Sequence, residues 1–206
     1  MIENFLQHIQ SYLEVLPFDG YGIIFLLAFL EALAFVGVLF PGTIIIVFVG
    51  FLAYGGVFDL EWAFVLCVVG ALIGDLISYY MGKRKGLEPK ISSKSIFKWL
   101  YIPEAGTFLL SQGGLSVVLG RFLGPTRSFT PFYMGAAGEG EKKFILYDFL
   151  GVLIWAAFYL MLGYVFGNSY ELIKSFIGLI MFFVALLMVL TIGPLVLAKI
   201  YKKKIL

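Results

Sequence analysis

The sequence predicts an all-α integral membrane protein, and its composition, its long apolar segments and the few charges within them all favour this class. Of the 206 residues, 61% are hydrophobic and only 14% are charged, whereas roughly a quarter of the residues are charged in soluble domains. Several segments approach or exceed the roughly 20 apolar residues that a helix needs to cross a bilayer. The single cysteine, Cys67, excludes a disulfide framework.

The first 58 residues predict a surface helix followed by a helical hairpin. Residues 1–19 combine polar side chains with apolar ones near helical spacing, which is typical of an amphipathic helix lying on a membrane. Residues 21–58 carry Glu31 as their only charge. At about 38 residues, this segment exceeds one span but is too short for two spans and a loop. A re-entrant hairpin broken at Pro41 and Gly42 fits this length, and a single tilted helix kinked by the proline is the alternative.

A transmembrane helix is predicted over residues 62–82, and a cytoplasmic segment over residues 83–107. The helix has small residues at every fourth position, namely Gly70, Gly74, Ser78 and Gly82. Such a stripe lets another helix approach closely, and Asp75 lies beside it. The segment that follows contains six lysines and arginines, and basic loops of this kind remain in the cytoplasm.

The second half of the chain again begins with an interrupted apolar segment. Residues 108–138 are broken at Gly124 and Pro125, and they contain Arg121 and Arg127. A charge within the hydrocarbon layer costs several kcal/mol, about 2.5 to 3.5 on insertion scales, so it is retained where it faces a partner, a cavity or a substrate. This segment therefore predicts a second re-entrant hairpin.

Two further spans and a basic tail complete the predicted architecture. Residues 144–167 and 173–198 are apolar enough to cross the membrane. The lysines of residues 199–206 place the C-terminus in the cytoplasm. Gly163 and Gly167 are predicted to form an exposed small-xxx-small pattern that permits helix association and therefore oligomerisation.

The two basic regions predict the topology of the core. Because residues 83–107 and 199–206 both lie in the cytoplasm, an even number of crossings must separate them. Two spans and a hairpin that enters and returns satisfy this condition. The first hairpin then enters from the outside and the second from the cytoplasm, as in the inverted repeats of secondary transporters, whose sites lie near the membrane midplane. A cytoplasmic N-terminus, with one full crossing before Asp59, is the alternative.

Four groups of residues follow one another along residues 20–167. They are Glu31 with Phe40-Pro41-Gly42; Gly74-Asp75 with Tyr79 and Gly82; Gly120-Arg121-Phe122 with Pro125 and Arg127; and Gly135, Phe144, Gly151 and Trp155. In this order they resemble the DedA family of bacterial membrane proteins, which is related to the eukaryotic VTT-domain scramblases. The resemblance implies a flippase or scramblase of the bacterial cytoplasmic membrane that moves undecaprenyl phosphate or a phospholipid, often with dependence on the proton motive force.

One departure from the family pattern concerns proton coupling. Many family members have an acidic residue directly after the Pro-Gly of the first hairpin, whereas this sequence has Thr43. In the family, proton coupling is attributed to that carboxylate together with the carboxylate that corresponds to Glu31. Two interpretations stay open: Glu31 handles the proton with help from Asp75, or the lipid equilibrates without a driving ion.

Arg121 and Arg127 are the predicted phosphate ligands. A guanidinium group offers two parallel hydrogen bonds to a phosphate and stays charged at cellular pH. On an unbroken helix, residues six positions apart point to different faces, so a break between them lets both arginines converge on one headgroup. Further hydrogen bonds are predicted from the hydroxyl groups of Thr43, Thr126 and Ser128, and from helix N-termini just after Gly42 and near Pro125.

A structural role for the arginines is the alternative. They can neutralise Glu31, Asp75 or Asp148 and so hold the two hairpins together, as buried ion pairs do in other proteins. Asp75 itself can serve helix packing rather than transport. Asp148 is predicted to lie near the cytoplasmic boundary, as a helix cap or an interface residue.

Other classes of function are also considered. A lipid phosphatase or an intramembrane protease generally needs histidine for acid-base chemistry, and the only histidine is His8, a predicted surface residue. The chain is therefore expected not to be an enzyme and to need no cofactor, metal or nucleic acid. A proton-coupled transporter of small molecules or ions that contributes to membrane homeostasis remains a rival, as does a purely structural adaptor.

Overall fold

A computed structural model describes residues 2–13, 20–37, 42–85, 115–122, 124–168, 178–179 and 182. Every regular element in these ranges is helical, which confirms the all-α class. The helices are α1 (Ile2–Leu13), α2 (Tyr21–Ala32), α3 (Gly42–Tyr54), α4 (Leu60–Lys85), α5 (Leu115–Gly120), α6 (Thr130–Ala136) and α7 (Glu141–Val165), with 3-10 helices at Gly124–Phe129 and Phe166–Asn168.

Two of these helices, α4 and α7, are long and apolar enough to cross a membrane. The qualifying segments are Leu60–Arg84 and Glu141–Val165, each of 25 residues, and they confirm the helices predicted at 62–82 and 144–167. At about 1.5 Å per residue, each helix exceeds the roughly 30 Å of a hydrocarbon core. Asp59 begins α4 by accepting hydrogen bonds from the backbone N–H groups of Glu61 and Trp62 on its Oδ1, at 2.9 and 3.0 Å.

Large apolar side chains point outward along both long helices. On α4 they recur every three or four residues, at Trp62, Val65, Val69, Ile73 and Ile77. On α7 they include Leu146, Leu150, Ile154, Phe158 and Met161. An apolar stripe of this length on the outside of a helix bundle is suited to lipid and not to water.

The helices α2 and α3 are too short to cross a bilayer separately. They contain 12 and 13 residues, or about 18 to 20 Å each at 1.5 Å per residue. Because α2 ends at Ala32 and α3 begins at Gly42, residues 21–58 are not one kinked helix. The turn after α2 includes Phe35, whose φ of 71° lies in the left-handed region. Pro41 lies outside the described residues.

The second interrupted segment contains α5 and α6. Gly124 and Pro125 lie in the 3-10 helix between them, so the predicted interruption occurs at these residues. The next α-helix begins at Thr130 with Pro131 in its first turn, where a proline is well tolerated. The half-helix expected to begin near Pro125 therefore begins later, after the 3-10 helix.

The packing of the helices is the same in both halves of the chain. The helix α4 packs against α2 and α6, whereas α7 packs against α5 and α3. Exchanging α2, α3 and α4 for α5, α6 and α7 reproduces the same set of contacts. This arrangement supports the predicted inverted repeat.

Reciprocal glycines form the closest contact in each half. A Cβ atom on Gly82 of α4 would overlap a backbone carbonyl oxygen of α6, and one on Gly135 of α6 would overlap a carbonyl oxygen of α4. In the other half, Gly50 of α3 and Gly163 of α7 have the same mutual relation. The interrupted helices therefore contact the long helices of the opposite half at backbone distance.

Other predictions have mixed outcomes. The N-terminal helix is present as α1, and Leu6 and Ile9 pack against the core. Gly163 and Gly167 are buried against α3 of the same chain, so the prediction that they form an exposed association surface is wrong. Homo-oligomerisation itself stays a prediction.

Several predicted segments lie outside the described residues. They are the cytoplasmic segment 83–107 beyond Lys85, the start of the second hairpin at 108–114, nearly all of the span at 173–198, and the tail at 199–206.

We expect Gly82→Ala and Gly163→Ala to destabilise the protein by similar amounts, about 1–3 kcal/mol each, because the added methyl group overlaps a carbonyl oxygen of a rigid helix. Unfolding in detergent micelles measures the loss. Gly140→Ala is the control, since no atom lies within 4 Å of a Cβ built there. Equal stability of all three variants would contradict the close crossings.

Candidate functional site

Five charged side chains are buried where the two halves of the chain meet. These residues, here called the buried charge cluster, are Glu31, Asp75, Arg121, Arg127 and Asp148. The penalty for removing an ion from water is several kcal/mol, so such groups are retained only when paired or functional. Their partners define what the site can do.

Arg121 joins two carboxylates from different halves of the chain. It follows α5 directly, and its Nη2 donates to Asp75 Oδ2 on α4 and to Asp148 Oδ1 on α7, the latter at 2.5 Å. Both aspartates are buried. Of the two roles predicted for Asp148, the helix cap is wrong, because the residue lies two turns inside α7 and its carboxylate pairs with Arg121.

Arg127 joins the ends of the two interrupted segments. Its Nη2 lies 3.0 Å from Oε1 of Glu31, at the end of α2. Its Nη1 donates to the Thr43 hydroxyl oxygen, at the start of α3, over 3.1 Å. Thr43 in turn donates its hydroxyl proton to Glu31 Oε1 over 2.5 Å. Glu31, Thr43 and Arg127 therefore form a closed triangle of polar contacts.

An aromatic ring covers one side of Arg127. The guanidinium carbon lies 4.4 Å from the centre of the Trp155 ring, which is within the range of a cation-π contact. Trp155 is fully buried on α7, and Tyr159 packs against it edge-on with ring centres 6.1 Å apart. A guanidinium group in this position is oriented by the indole.

Two serines hold the broken end of α2. Ser78 of α4 accepts the N–H of Ala34 at 2.8 Å, and its single hydroxyl proton is shared between the carbonyl oxygens of Gly74, at 2.8 Å, and Ala32, at 3.3 Å. Ser128 donates to the carbonyl oxygen of Glu31 at 3.2 Å. These contacts satisfy backbone groups that a helix end leaves unpaired. The Ser128 hydroxyl, which the sequence predicts to donate to phosphate, therefore donates to the backbone of Glu31 and helps to position it.

Some polar atoms of the site lack a hydrogen bond. Within the described part of the chain, no partner is present for Glu31 Oε2, Arg121 Nε, Arg127 Nη2, Asp148 Oδ2 or Trp155 Nε1. Arg127 Nη2 is close enough to Glu31 for an ion pair, but it does not have the geometry of a hydrogen bond. Most buried polar atoms in native proteins are paired, so these exceptions call for a functional explanation.

The sequence identified most of the charged residues but not their pairing. Glu31, Asp75, Arg121 and Arg127 are all buried in one region. The structure gives the two arginines separate carboxylate partners. Gly42 packs against the Glu31 carboxylate, whereas the side chain of Thr126 lies outside the described residues.

Sequence reasoning missed the contact of Trp155 with Arg127. A signal for it was present, since Trp155 lies one helical turn after Gly151, on the same face of the predicted helix. Gly151 itself contacts the side chain of Arg121. One face of α7 therefore contacts both arginines.

Comparison with known proteins identifies the family. The family model of the VTT domain matches residues 40–165. Protein DedA of Escherichia coli strain K12 is 31% identical over 173 residues, which cover 80% of this chain and 78% of that protein. The chain belongs to the DedA family. It is therefore a membrane protein, as its long apolar helices indicate.

Other relatives of this DedA-family chain are also membrane proteins by name. Inner membrane protein YabI of the same E. coli strain is 31% identical over 154 residues, covering 71% of this chain and 58% of that protein. The uncharacterized membrane protein YbfM of Bacillus subtilis is 28% identical over 153 residues, covering 72% of this chain and 91% of that protein. The chain spans 58% to 60% of the first curated relatives it matches. No solved structure matches it.

We expect Arg121→Met to destabilise the protein by about 3–5 kcal/mol, because it leaves two buried carboxylates without a counter-ion. Unfolding in detergent measures the change. Adding Asp75→Asn and Asp148→Asn should recover part of the loss, since neither aspartate charge then remains.

The control for this prediction is Lys143→Met. Its partner Glu139 lies 2.6 Å away, but the Lys143 side chain is 52% exposed, and exposed pairs contribute less than about 1 kcal/mol. Equal destabilisation by Arg121→Met and Lys143→Met would contradict a structural role for Arg121.

Proposed function

We propose that this DedA-family chain translocates an anionic lipid across the bacterial cytoplasmic membrane. In this proposal, the headgroup passes through the buried charge cluster while the acyl or prenyl chains remain in the bilayer. The main support is the position of Arg127, a buried guanidinium group between two interrupted helical segments. The substrate would be undecaprenyl phosphate or a phospholipid, as the family resemblance implies.

The chemistry of the cluster favours a phosphate. A guanidinium group binds phosphate oxygens through directed, charge-assisted hydrogen bonds. The N-terminus of α3 lies next to the same site, and the first backbone N–H groups of a helix attract anions. Thr43 adds a hydroxyl group that already contacts Arg127.

The interrupted helices favour a path for a polar headgroup. Helical backbone in a bilayer is broken only where protein or a hydrophilic cavity satisfies the freed polar groups. Here both breaks, after Ala32 and at Gly124, lie beside Arg127 and its partners. We propose that they are the tips of two re-entrant hairpins of opposite orientation, which meet near the midplane. The C-terminus would then be cytoplasmic.

A proton-coupled transporter of small molecules or ions is the second candidate. The observation that favours it is charge balance, because the cluster holds three carboxylates and two guanidinium groups. A buried excess of one negative charge is costly and can be relieved by binding a proton. We assign this role to Glu31 and Asp75.

Translocation in liposomes distinguishes the two candidates. A fluorescent phospholipid in the inner leaflet becomes accessible to a membrane-impermeant quencher only if the protein moves lipid. A pH-sensitive dye in the lumen reports proton flux. Proton flux with no change in lipid accessibility would overturn the lipid-transport proposal.

We expect Arg127→Lys to fold normally but to lose at least about 90% of lipid translocation, because lysine lacks the planar set of donors with which a guanidinium group can hold Thr43 and a phosphate oxygen at once. The matched control is Arg84→Lys at an exposed position of α4, which should translocate like the unmodified protein. Full translocation by Arg127→Lys would exclude headgroup recognition by this guanidinium.

We expect Glu31→Gln to remove the dependence of translocation on an imposed pH gradient, since an amide does not gain or lose a proton near neutral pH. The same liposome assay at several internal pH values measures it. Glu61→Gln, at an exposed position, is the control. An unchanged pH profile in Glu31→Gln would remove this carboxylate from the coupling mechanism.

A further inference from the structure

We infer that the phosphate group of the lipid is received by two donors, Arg127 Nη2 and Trp155 Nε1, and displaces the carboxylate of Glu31. This inference rests on the proposed function for the class of ligand. It adds Trp155 as a binding residue, and it separates the roles of the two arginines.

The first support is the unpaired indole. Trp155 has no exposed surface, and its Nε1 makes no hydrogen bond with any residue that the structure describes. A buried N–H left unpaired loses its hydrogen bonds to water without a replacement, so it destabilises the folded chain. A phenylalanine would fill similar apolar space without this cost, so packing alone does not explain the indole nitrogen.

The second support is the position of the other unpaired donor. Arg127 Nη2 also lacks a hydrogen bond of good geometry, and the guanidinium carbon is 4.4 Å from the centre of the Trp155 ring. Two donors that need an acceptor therefore belong to one buried site. A phosphate has several acceptor oxygens and can satisfy both at once.

The contrast with Arg121 explains why the phosphate goes to Arg127. Arg121 donates to two carboxylates, so a phosphate there would have to displace both of them. Arg127 has a single carboxylate partner, held by an ion pair without an aligned hydrogen bond. When a phosphate replaces this one carboxylate, the guanidinium group has an anionic partner both before and after the exchange.

The released carboxylate also keeps a partner. Glu31 Oε1 accepts the hydroxyl proton of Thr43 at 2.5 Å, and this contact does not depend on Arg127. The hydroxyl therefore keeps a hydrogen bond to Glu31, and the proton assigned above to this carboxylate neutralises it while the phosphate occupies the guanidinium group. Thr43 acts as a positioning residue for the exchange.

The test measures the binding of a simple phosphate amphiphile to the purified full-length chain in dodecyl maltoside micelles. Dodecyl phosphate is the probe, dodecanol is its uncharged match, and inorganic phosphate tests whether the headgroup alone is enough. Isothermal titration gives the dissociation constants. Trp155→Phe retains an aromatic ring beside Arg127 but removes the N–H, and Trp62→Phe makes the same change at an exposed position.

We expect the unmodified chain to bind dodecyl phosphate and not dodecanol, and Trp155→Phe to weaken this binding about tenfold or more, as loss of a hydrogen bond to a charged group implies. Trp62→Phe should bind like the unmodified chain. Binding of inorganic phosphate with equal affinity would identify a free phosphate as the ligand instead of a lipid headgroup.

The outcomes separate this inference from the proposed function. If the unmodified chain binds dodecyl phosphate and Trp155→Phe binds it equally well, the role of Trp155 is overturned while the proposed function stands. If the unmodified chain does not bind dodecyl phosphate, both are overturned.

A second measurement guards against misfolding of Trp155→Phe. The chain has three tryptophans, so the Trp62→Phe/Trp99→Phe variant leaves Trp155 as the only indole in an unaltered site. Dodecyl phosphate should shift its fluorescence emission, and dodecanol should not. An emission spectrum unchanged at saturating dodecyl phosphate would overturn the inference.

Discussion

The structure depends on one constraint, which is that charges buried between apolar helices must be neutralised by one another. Three carboxylates and two guanidinium groups are excluded from solvent at the meeting point of the two halves. Each pairing joins segments that are distant in sequence, so the ion pairs also fix which helix ends lie together. Arg121 links α4 and α7 through Asp75 and Asp148. Arg127 links the two interrupted segments through Glu31.

Close helix crossings make this arrangement possible. The interrupted helices approach the long helices of the opposite half at reciprocal glycines, such as Gly82 and Gly135. Without side chains at these points, the backbones come near enough for short polar residues to reach across. The crossing of α4 and α2 shows the same effect, because Gly74 of α4 lies against the backbone of α2 and the nearby Ser78 hydroxyl accepts the N–H of Ala34, just after α2. The packing and the polar site are therefore parts of one arrangement.

The two arginines have the same side chain but different surroundings. Arg121 is paired with two aspartates, and this pairing favours a structural role for it. Arg127 has one carboxylate partner, a tryptophan ring and an unpaired nitrogen, which favours exchange with another anion. In a site of low dielectric, a small difference in the number of partners produces a large difference in how readily an ion can be replaced. Under the proposed function, this difference assigns Arg121 to the stability of the fold and Arg127 to binding of the headgroup.

The sequence by itself determined the membrane class, the two long helices, the breaks in the apolar segments and the identity of four of the five buried charges. These features follow from local composition, since a charge, a proline or a long apolar run has the same consequence in any bilayer. Only the tertiary structure decided that Asp148 pairs with Arg121, that Thr43 bridges Glu31 and Arg127, and that Trp155 covers Arg127. These pairings join residues 12 to 84 positions apart. Helical periodicity places a residue on a face, but it does not determine which distant face packs against it.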